Sequence, residues 1–85
     1  MAPHVLTIPY SDDLLLSLKM SPQEFEAEAR LLLAVKLYEL NRVSTGGAAK
    51  LAGLGRVAFM LELARFGLSP LGQDPEEIAE DMANA

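Results

Sequence analysis

The stretch from residue 21 to 41, SPQEFEAEARLLLAVKLYELN, constrains the fold of this chain more than any other. Ser21 is a favourable N-cap, Pro22 suits the first helical position, and Glu24 has the spacing to bond back to the cap. No glycine or proline interrupts the run after Pro22. The sequence therefore predicts a long central helix of roughly 20 residues, about 30 Å in length.

Apolar residues lie on more than one side of this helix. Helical spacing joins six of them into one stripe: Phe25, Ala29, Leu32, Leu33, Leu37 and Leu40. Residues 31–35, LLLAV, are apolar on every side, and a chain of 85 residues has little protein with which to cover them all. We therefore predict that the chain covers one face and that a second copy, in a homodimer, covers the other. The predicted dimer contacts are Val5, Leu31, Ala34, Val35 and Tyr38. The alternative is a core helix whose second face is partly wet.

Composition narrows the class of protein. The hydrophobic fraction of 51% predicts a folded domain and argues against disorder. The chain has no cysteine, which excludes a disulfide framework and thiolate metal sites and fits a cytoplasmic location. Residues 1–10 lack the basic region and long apolar run of a signal peptide. Apolar runs are far shorter than the ~20 residues that span a bilayer, so no membrane association is expected.

The remaining elements are short, and the predicted fold is mainly α. Residues 4–9, HVLTIP, read as a short N-terminal strand that would pair with its copy in a dimer. A short helix is predicted from Asp12 to Leu18, and a short acidic helix from Pro75 to Met82. The predicted organisation is one helical domain over residues 1–67 with an acidic tail over 68–85.

Charge is unevenly distributed along the chain. Residues 1–29 carry a net charge of −4, residues 30–67 carry +4, and residues 68–85 carry −5. The whole chain has a net charge of −5, which by itself argues against nucleic acid. A basic segment between acidic ends still allows a locally positive surface, and the local field decides whether phosphate is attracted.

Residues 44–67, STGGAAKLAGLGRVAFMLELARFG, hold the most informative pattern. Two short helices are predicted here, joined by a tight turn at Gly53. Small Ala49 would let the helices cross closely, and Phe59 would fill the angle between them. This spacing is typical of a DNA-binding helix-turn-helix, whose second helix enters the major groove. A plain helical corner has the same requirements and remains an equal alternative.

Candidate contacts follow from each interpretation. The residues predicted to contact DNA are Arg42, Thr45, Lys50, Gly55, Arg56 and Arg65. The second helix of the motif is poor in the Asn, Gln and Arg side chains that usually read bases. Its exposed side would instead offer Val57 and Leu61 to a protein partner, and Ile78 and Met82 of the acidic tail are further candidate partner contacts.

The chain resembles the small prokaryotic uncharacterised protein family 0175, which is described as predicted antitoxins with a helix-turn-helix. The resemblance covers nearly the whole chain in order, through the segments VLTIP, SPQEFEAEARLLLAVKLYEL, STGGAAKLAGLGRVAFMLELARFGLSP and DPEEIAEDM. It implies a non-enzymatic partner of a small toxin, often a PIN-like nuclease, that also represses its own promoter.

Individual positions both match and depart from the family pattern. Ala49, Gly53, Arg56 and Phe59 fall on matching motif positions. The departures are Gly55, where serine is usual, the Gly46-Gly47 pair, and the stretch SPLG in place of a more regular extended segment. Under this resemblance the acidic tail would dock on the toxin. The alternative is a tail that only keeps the protein soluble.

Groups for catalysis are sparse in the sequence. His4 is the only histidine, and no cluster has the spacing of metal ligands, so we expect no metal site and no cofactor. Acidic pairs on the predicted helices read as solvated faces. We therefore do not expect an enzyme, and the family resemblance implies an antitoxin-like regulator. The alternative function is a helical interaction or dimerisation module that never binds DNA.

Overall fold

The computed structural model describes residues 3–68, and within this range the fold is entirely helical apart from its connections. Four helices follow in order: α1 Asp12–Leu18, α2 Pro22–Glu39, α3 Thr45–Ala52 and α4 Arg56–Arg65. The predicted mainly α class is confirmed. The acidic helix predicted from Pro75 to Met82, with Ile78 and Met82, lies outside the described residues.

The start of α2 confirms the capping signal in the sequence. The backbone N–H of Glu24 donates to Ser21 Oγ at 3.2 Å, and the backbone N–H of Ser21 donates to Glu24 Oε1 at 2.9 Å. This reciprocal pair satisfies two of the N–H groups that a helix leaves open at its start. These hydrogen bonds hold the pKa of Glu24 below its ordinary value of 4.5, because they favour the charged carboxylate.

The capping box makes the stability of the fold depend on pH. Because folding lowers the pKa of Glu24, its contribution is present above about pH 4.5 and is lost as the pH falls through the folded-state value. We expect the melting temperature of the Glu24→Gln variant to fall less than that of the natural chain between pH 6 and pH 3. Circular dichroism melts across this range test the prediction, and parallel curves for the two proteins would contradict it.

The core lies between α2, α3 and α4. Its buried side chains are Leu31, Ala34, Val35, Tyr38, Ala48, Ala49, Phe59 and Leu63. The rings of Tyr38 and Phe59 meet edge to face with centroids 6.2 Å apart, which joins α2 to α4. Partly buried Val43, Ala52 and Leu68 pack around this cluster.

The assignment of faces on α2 was wrong. Leu31, Ala34, Val35 and Tyr38, predicted to contact a second copy, are buried in the core of the single chain. Leu32, Leu33 and Leu40 of the predicted stripe are exposed by 46%, 38% and 54%. Leucine occurs on both sides of α2, so the periodicity defines two apolar faces without saying which one α3 and α4 cover. Small Ala34 and the polar tip of Tyr38 make the true core face look weaker in sequence.

The N-terminal strand predicted over residues 4–9 does not form in the described chain. Residues 3–10 have no regular secondary structure, and among the described residues no backbone hydrogen bond joins them to another segment. A strand requires a partner, and residues 3–68 offer no second extended segment. The segment is fixed at its end, where Tyr10 packs edge to face on Phe25 at 4.8 Å and its hydroxyl donates to Glu26. The hydrogen bond to the Glu26 carboxylate raises the pKa of Tyr10.

Membrane insertion has no candidate element in the part of the chain that the structure describes. None of α1 to α4 combines the length and the hydropathy that a membrane-crossing helix requires.

Candidate nucleic-acid interface

The predicted pair of helices joined by a tight turn is present as α3, the turn of residues 53–55, and α4. Ser44 caps α3 by accepting a hydrogen bond from the Gly47 N–H at 3.1 Å. Gly53 ends α3 with a φ of 75°, which is the left-handed conformation that glycine adopts most readily. The N–H of Leu54 then donates back to the Ala49 carbonyl at 3.0 Å, and α4 begins shortly after α3 ends.

At the helical corner, small buried side chains of α3 lie opposite large buried side chains of α4. Ala48 and Ala49 are buried on α3, where they let α4 approach closely. Phe59 and Leu63 of α4 are fully buried in the angle that results. The roles predicted for Ala49, Gly53 and Phe59 are therefore confirmed as packing roles, and α2 supports the corner from behind through Tyr38.

Arg30 links α2 to the turn, and the sequence analysis missed this contact. Its Nε donates to the Leu51 carbonyl at 3.0 Å, near the end of α3. This carbonyl lies at the negative end of the helix dipole, where a cation is favoured. The guanidinium also covers Gly53 so closely that a Cβ there would lie 2.9 Å from one of its terminal nitrogens. The contact links α2 to the corner, while the positive φ of Gly53 is what favours glycine there, because the guanidinium is the far end of an exposed, flexible side chain.

Three of the predicted DNA contacts are accessible cations around the corner. Arg42 is exposed between α2 and α3, and Lys50 is exposed on α3. Arg56 is half-buried at the first position of α4. Gly55 is the N-cap of α4 and has no side chain with which to cap it, and within residues 3–68 no atom lies within 4 Å of the position its Cβ would take. These residues leave the start of α4 open to a negatively charged group, which a helix N-terminus favours.

Two of the predicted DNA contacts are placed differently. Thr45 is 1% exposed in the core beneath α3, so the prediction of a DNA contact there was wrong. Thr45 is the first residue of α3 and is buried, so a nucleic acid cannot reach its side chain. Arg65 lies at the opposite end of α4 from Arg56, about 14 Å away along the axis. It pairs with Glu62 at 3.1 Å and with Glu28 of α2 at 3.8 Å, and it lies over the Phe66 ring. These contacts suit a structural role better than phosphate binding.

The outward side of α4 is apolar. Val57 and Leu61 are exposed by 70% and 69%, and Ala58 is exposed between them. These side chains offer no hydrogen bonds to base edges, although they are suited to contact a thymine methyl group or a protein surface. The arrangement thus combines a cationic start of α4 with an apolar outward face.

The geometry suits phosphate binding and apolar contact better than catalysis. Backbone N–H groups at the start of α4 and the cations Lys50 and Arg56 are typical of sites that position a phosphate backbone. Within residues 3–68, no three His, Cys, Asp or Glu side chains are grouped so that they could hold a metal ion.

Comparison with known proteins places the chain in a family. The model of the Uncharacterised protein family (UPF0175) matches residues 1–85. The chain belongs to this family. A UPF0175 protein of Aeropyrum pernix is 43% identical to it over 65 residues, which cover 76% of this chain and 72% of that protein. A UPF0175 protein of Archaeoglobus fulgidus is 40% identical over 63 residues, or 74% of this chain and 71% of that protein. No solved structure matches the chain. Membership in UPF0175 confirms the resemblance seen in the sequence.

Proposed function

We propose that this UPF0175 protein is a small antitoxin-like regulator that binds DNA through the corner formed by α3 and α4. The observation that carries the proposal is the tight α3–turn–α4 geometry, with Gly53 in the turn and Phe59 packed in the angle. In this geometry the second helix projects from the domain and can enter a major groove. Such a regulator would act in the cytoplasm and would need no cofactor and no enzymatic activity of its own.

The cations around the corner support backbone contacts more than base reading. Lys50 lies in the last turn of α3 and Arg56 is the first residue of α4, whose N-terminus adds a positive field. The exposed face of α4 carries Val57 and Leu61, so specificity from base hydrogen bonds is small. We therefore expect weak binding by one copy of the chain and useful affinity only when two copies bind together.

A partner toxin would complete this role. The family resemblance implies a toxin of the PIN-like nuclease type. The apolar side chains of Val57 and Leu61 are exposed enough to contact such a protein. The segment 68–85, with five acidic residues and no basic one, has the charge to bind a basic cleft, and its Ile78 and Met82 would add apolar contacts.

A second candidate function is an interaction module that never binds DNA. The apolar outward face of α4 favours it, because a helix that reads bases is usually polar on that side. Under this alternative the corner formed by α3 and α4 is only a rigid support for a protein interface. DNA binding should weaken when salt is added and when the cations are removed. An interaction module should respond to neither change.

The Lys50→Ala, Arg56→Ala double variant tests DNA binding. We expect it to weaken binding to the gene's own upstream DNA by on the order of tenfold or more, because neither side chain can then bind a phosphate. Fluorescence anisotropy with labelled duplex at low salt measures the affinity. Arg65→Ala is the matched control, since its guanidinium is occupied by Glu28 and Glu62. Equal affinities for the double variant and the natural chain would favour the interaction module.

A further inference from the structure

The outer face of α2 leaves the large apolar side chains of Leu33 and Leu40 exposed by 38% and 54%. We define it as Glu26, Ala29, Leu33, Lys36 and the C-cap Leu40, which lie on the side of the helix opposite Leu31 and Tyr38. We propose that a second copy of this chain covers this face, with the two α2 helices antiparallel about a two-fold axis. The proposal concerns a surface other than the α3–turn–α4 corner and does not depend on DNA binding.

The spacing along the outer face suits helix-on-helix packing. Its residues follow one another at intervals of three, four, three and four positions, which is the 3.5-residue repeat of a two-helix seam. Leu33 and Leu40 supply apolar side chains at this seam, with Leu32 exposed at its edge. One face of α2 is buried against α3 and α4. The outer face has the spacing to pack against a further helix.

The charges on the outer face favour a second copy of the chain as its occupant and an antiparallel orientation of the two α2 helices. The outer face carries Glu26 toward its start and Lys36 toward its end, and both side chains are exposed. These positions are equally far from residue 31, near the middle of α2. In an antiparallel pair that crosses at this level, Glu26 faces Lys36 of the second copy, and small Ala29 faces Leu33 of the second copy. A parallel pair would place like charges together, which is unfavourable. The outer face is therefore complementary to itself.

The N-terminal segment favours the same occupant. Its Val5 and Ile8 are exposed by 84% and 61%, and among the described residues its backbone forms no hydrogen bond with another segment. Tyr10 fixes the end of the segment beside Phe25 and Glu26, at the edge of the outer face. In a dimer, the second copy offers this segment the extended partner that residues 3–68 of one chain lack.

Sedimentation or light scattering on the full chain tests whether a second copy covers the outer face of α2. We expect the natural chain to be a dimer at micromolar concentration, and Leu33→Glu to raise its dissociation constant by on the order of a hundredfold. Leu61→Glu is the matched control, because Leu61 is more exposed than Leu33 but lies on α4. Circular dichroism verifies that both variants remain helical. A natural chain that stays monomeric, or equal effects of the two variants, would overturn the proposal.

Exchanging the charges of Glu26 and Lys36 tests the antiparallel orientation of the two α2 helices without removing any apolar side chain. Lys36 also pairs with Glu39 of its own helix at 2.7 Å, and its ammonium group has further donors for a carboxylate of the second copy. We expect Glu26→Lys and Lys36→Glu each to weaken the dimer by about tenfold, since each alters two symmetry-related ion pairs. The Glu26→Lys, Lys36→Glu double variant restores opposite charges across an antiparallel seam, so we expect it to dimerise nearly as well as the natural chain. A double variant weaker than either single variant would exclude the antiparallel arrangement.

Discussion

Phe59→Ala is expected to lower the free energy of unfolding by about 3–5 kcal/mol. Phe59 is fully buried in the angle between α3 and α4 and meets the Tyr38 ring edge to face. Removing the ring leaves a cavity where all three core helices meet, and the methyl side chains of Ala48 and Ala49 are too small to fill it. A loss of this size is a large part of the stability of a domain this small. Urea denaturation followed by circular dichroism measures it.

Phe66→Ala is the control for the loss of an aromatic ring. Phe66 is 37% exposed just beyond α4 and contacts the Arg65 guanidinium outside the buried cluster. We expect this change to lower the free energy of unfolding by about 1 kcal/mol or less. Similar losses for the two variants would mean that the corner is not organised around Phe59.

Gly53→Ala is expected to lower the free energy of unfolding by about 2 kcal/mol, through two separate effects. The φ of 75° costs a residue with a Cβ about 1 kcal/mol or more. The added Cβ would also lie 2.9–3.1 Å from three atoms of the Arg30 guanidinium, so this exposed, flexible side chain has to shift, and the weakening of its hydrogen bond to Leu51 adds the smaller part of the cost. The prediction is checked by denaturation of the variant beside the natural chain.

Gly67→Ala separates the two effects. Gly67 has a φ of 74°, but no atom of the described residues lies within 4 Å of the position its Cβ would take. It should therefore show the conformational cost alone, about 1 kcal/mol. In an Arg30→Ala background, the destabilisation caused by Gly53→Ala should fall to that same value. Equal effects at Gly53 and Gly67 in the natural background would contradict the role given to Arg30.

Local signals in the sequence predicted local structure well. The capping box at Ser21 and Glu24 and the turn at Gly53 depend on residues only a few positions apart, and all are found as predicted. The helix predicted from Asp12 to Leu18 is α1 with the same bounds. Such features depend on backbone hydrogen bonds and allowed φ angles, which short stretches of sequence determine.

The sequence did not show which face of a helix packs against the rest of the chain. Both faces of α2 are apolar, so Leu31 and Leu33 look alike until α3 and α4 are placed against one of them. Thr45 was predicted to contact DNA, but it is 1% exposed in the folded chain. Arg30 contacts Leu51 across 21 positions, and no local pattern marks such a contact. The N-terminal segment was predicted as a strand that pairs with its copy in a dimer, and residues 3–68 of the single chain contain no such partner.

The measurement that tests the DNA-binding proposal most directly is the salt dependence of the affinity of the full chain for its own upstream DNA. If the α3–turn–α4 corner contacts phosphates, the logarithm of the association constant falls linearly with the logarithm of salt concentration. The Lys50→Ala, Arg56→Ala variant should then show a shallower slope, by about one for each phosphate that it no longer binds, while Arg65→Ala keeps the natural slope. An absence of binding at low salt, or one slope shared by all three proteins, would contradict the proposal that this corner is a nucleic-acid interface.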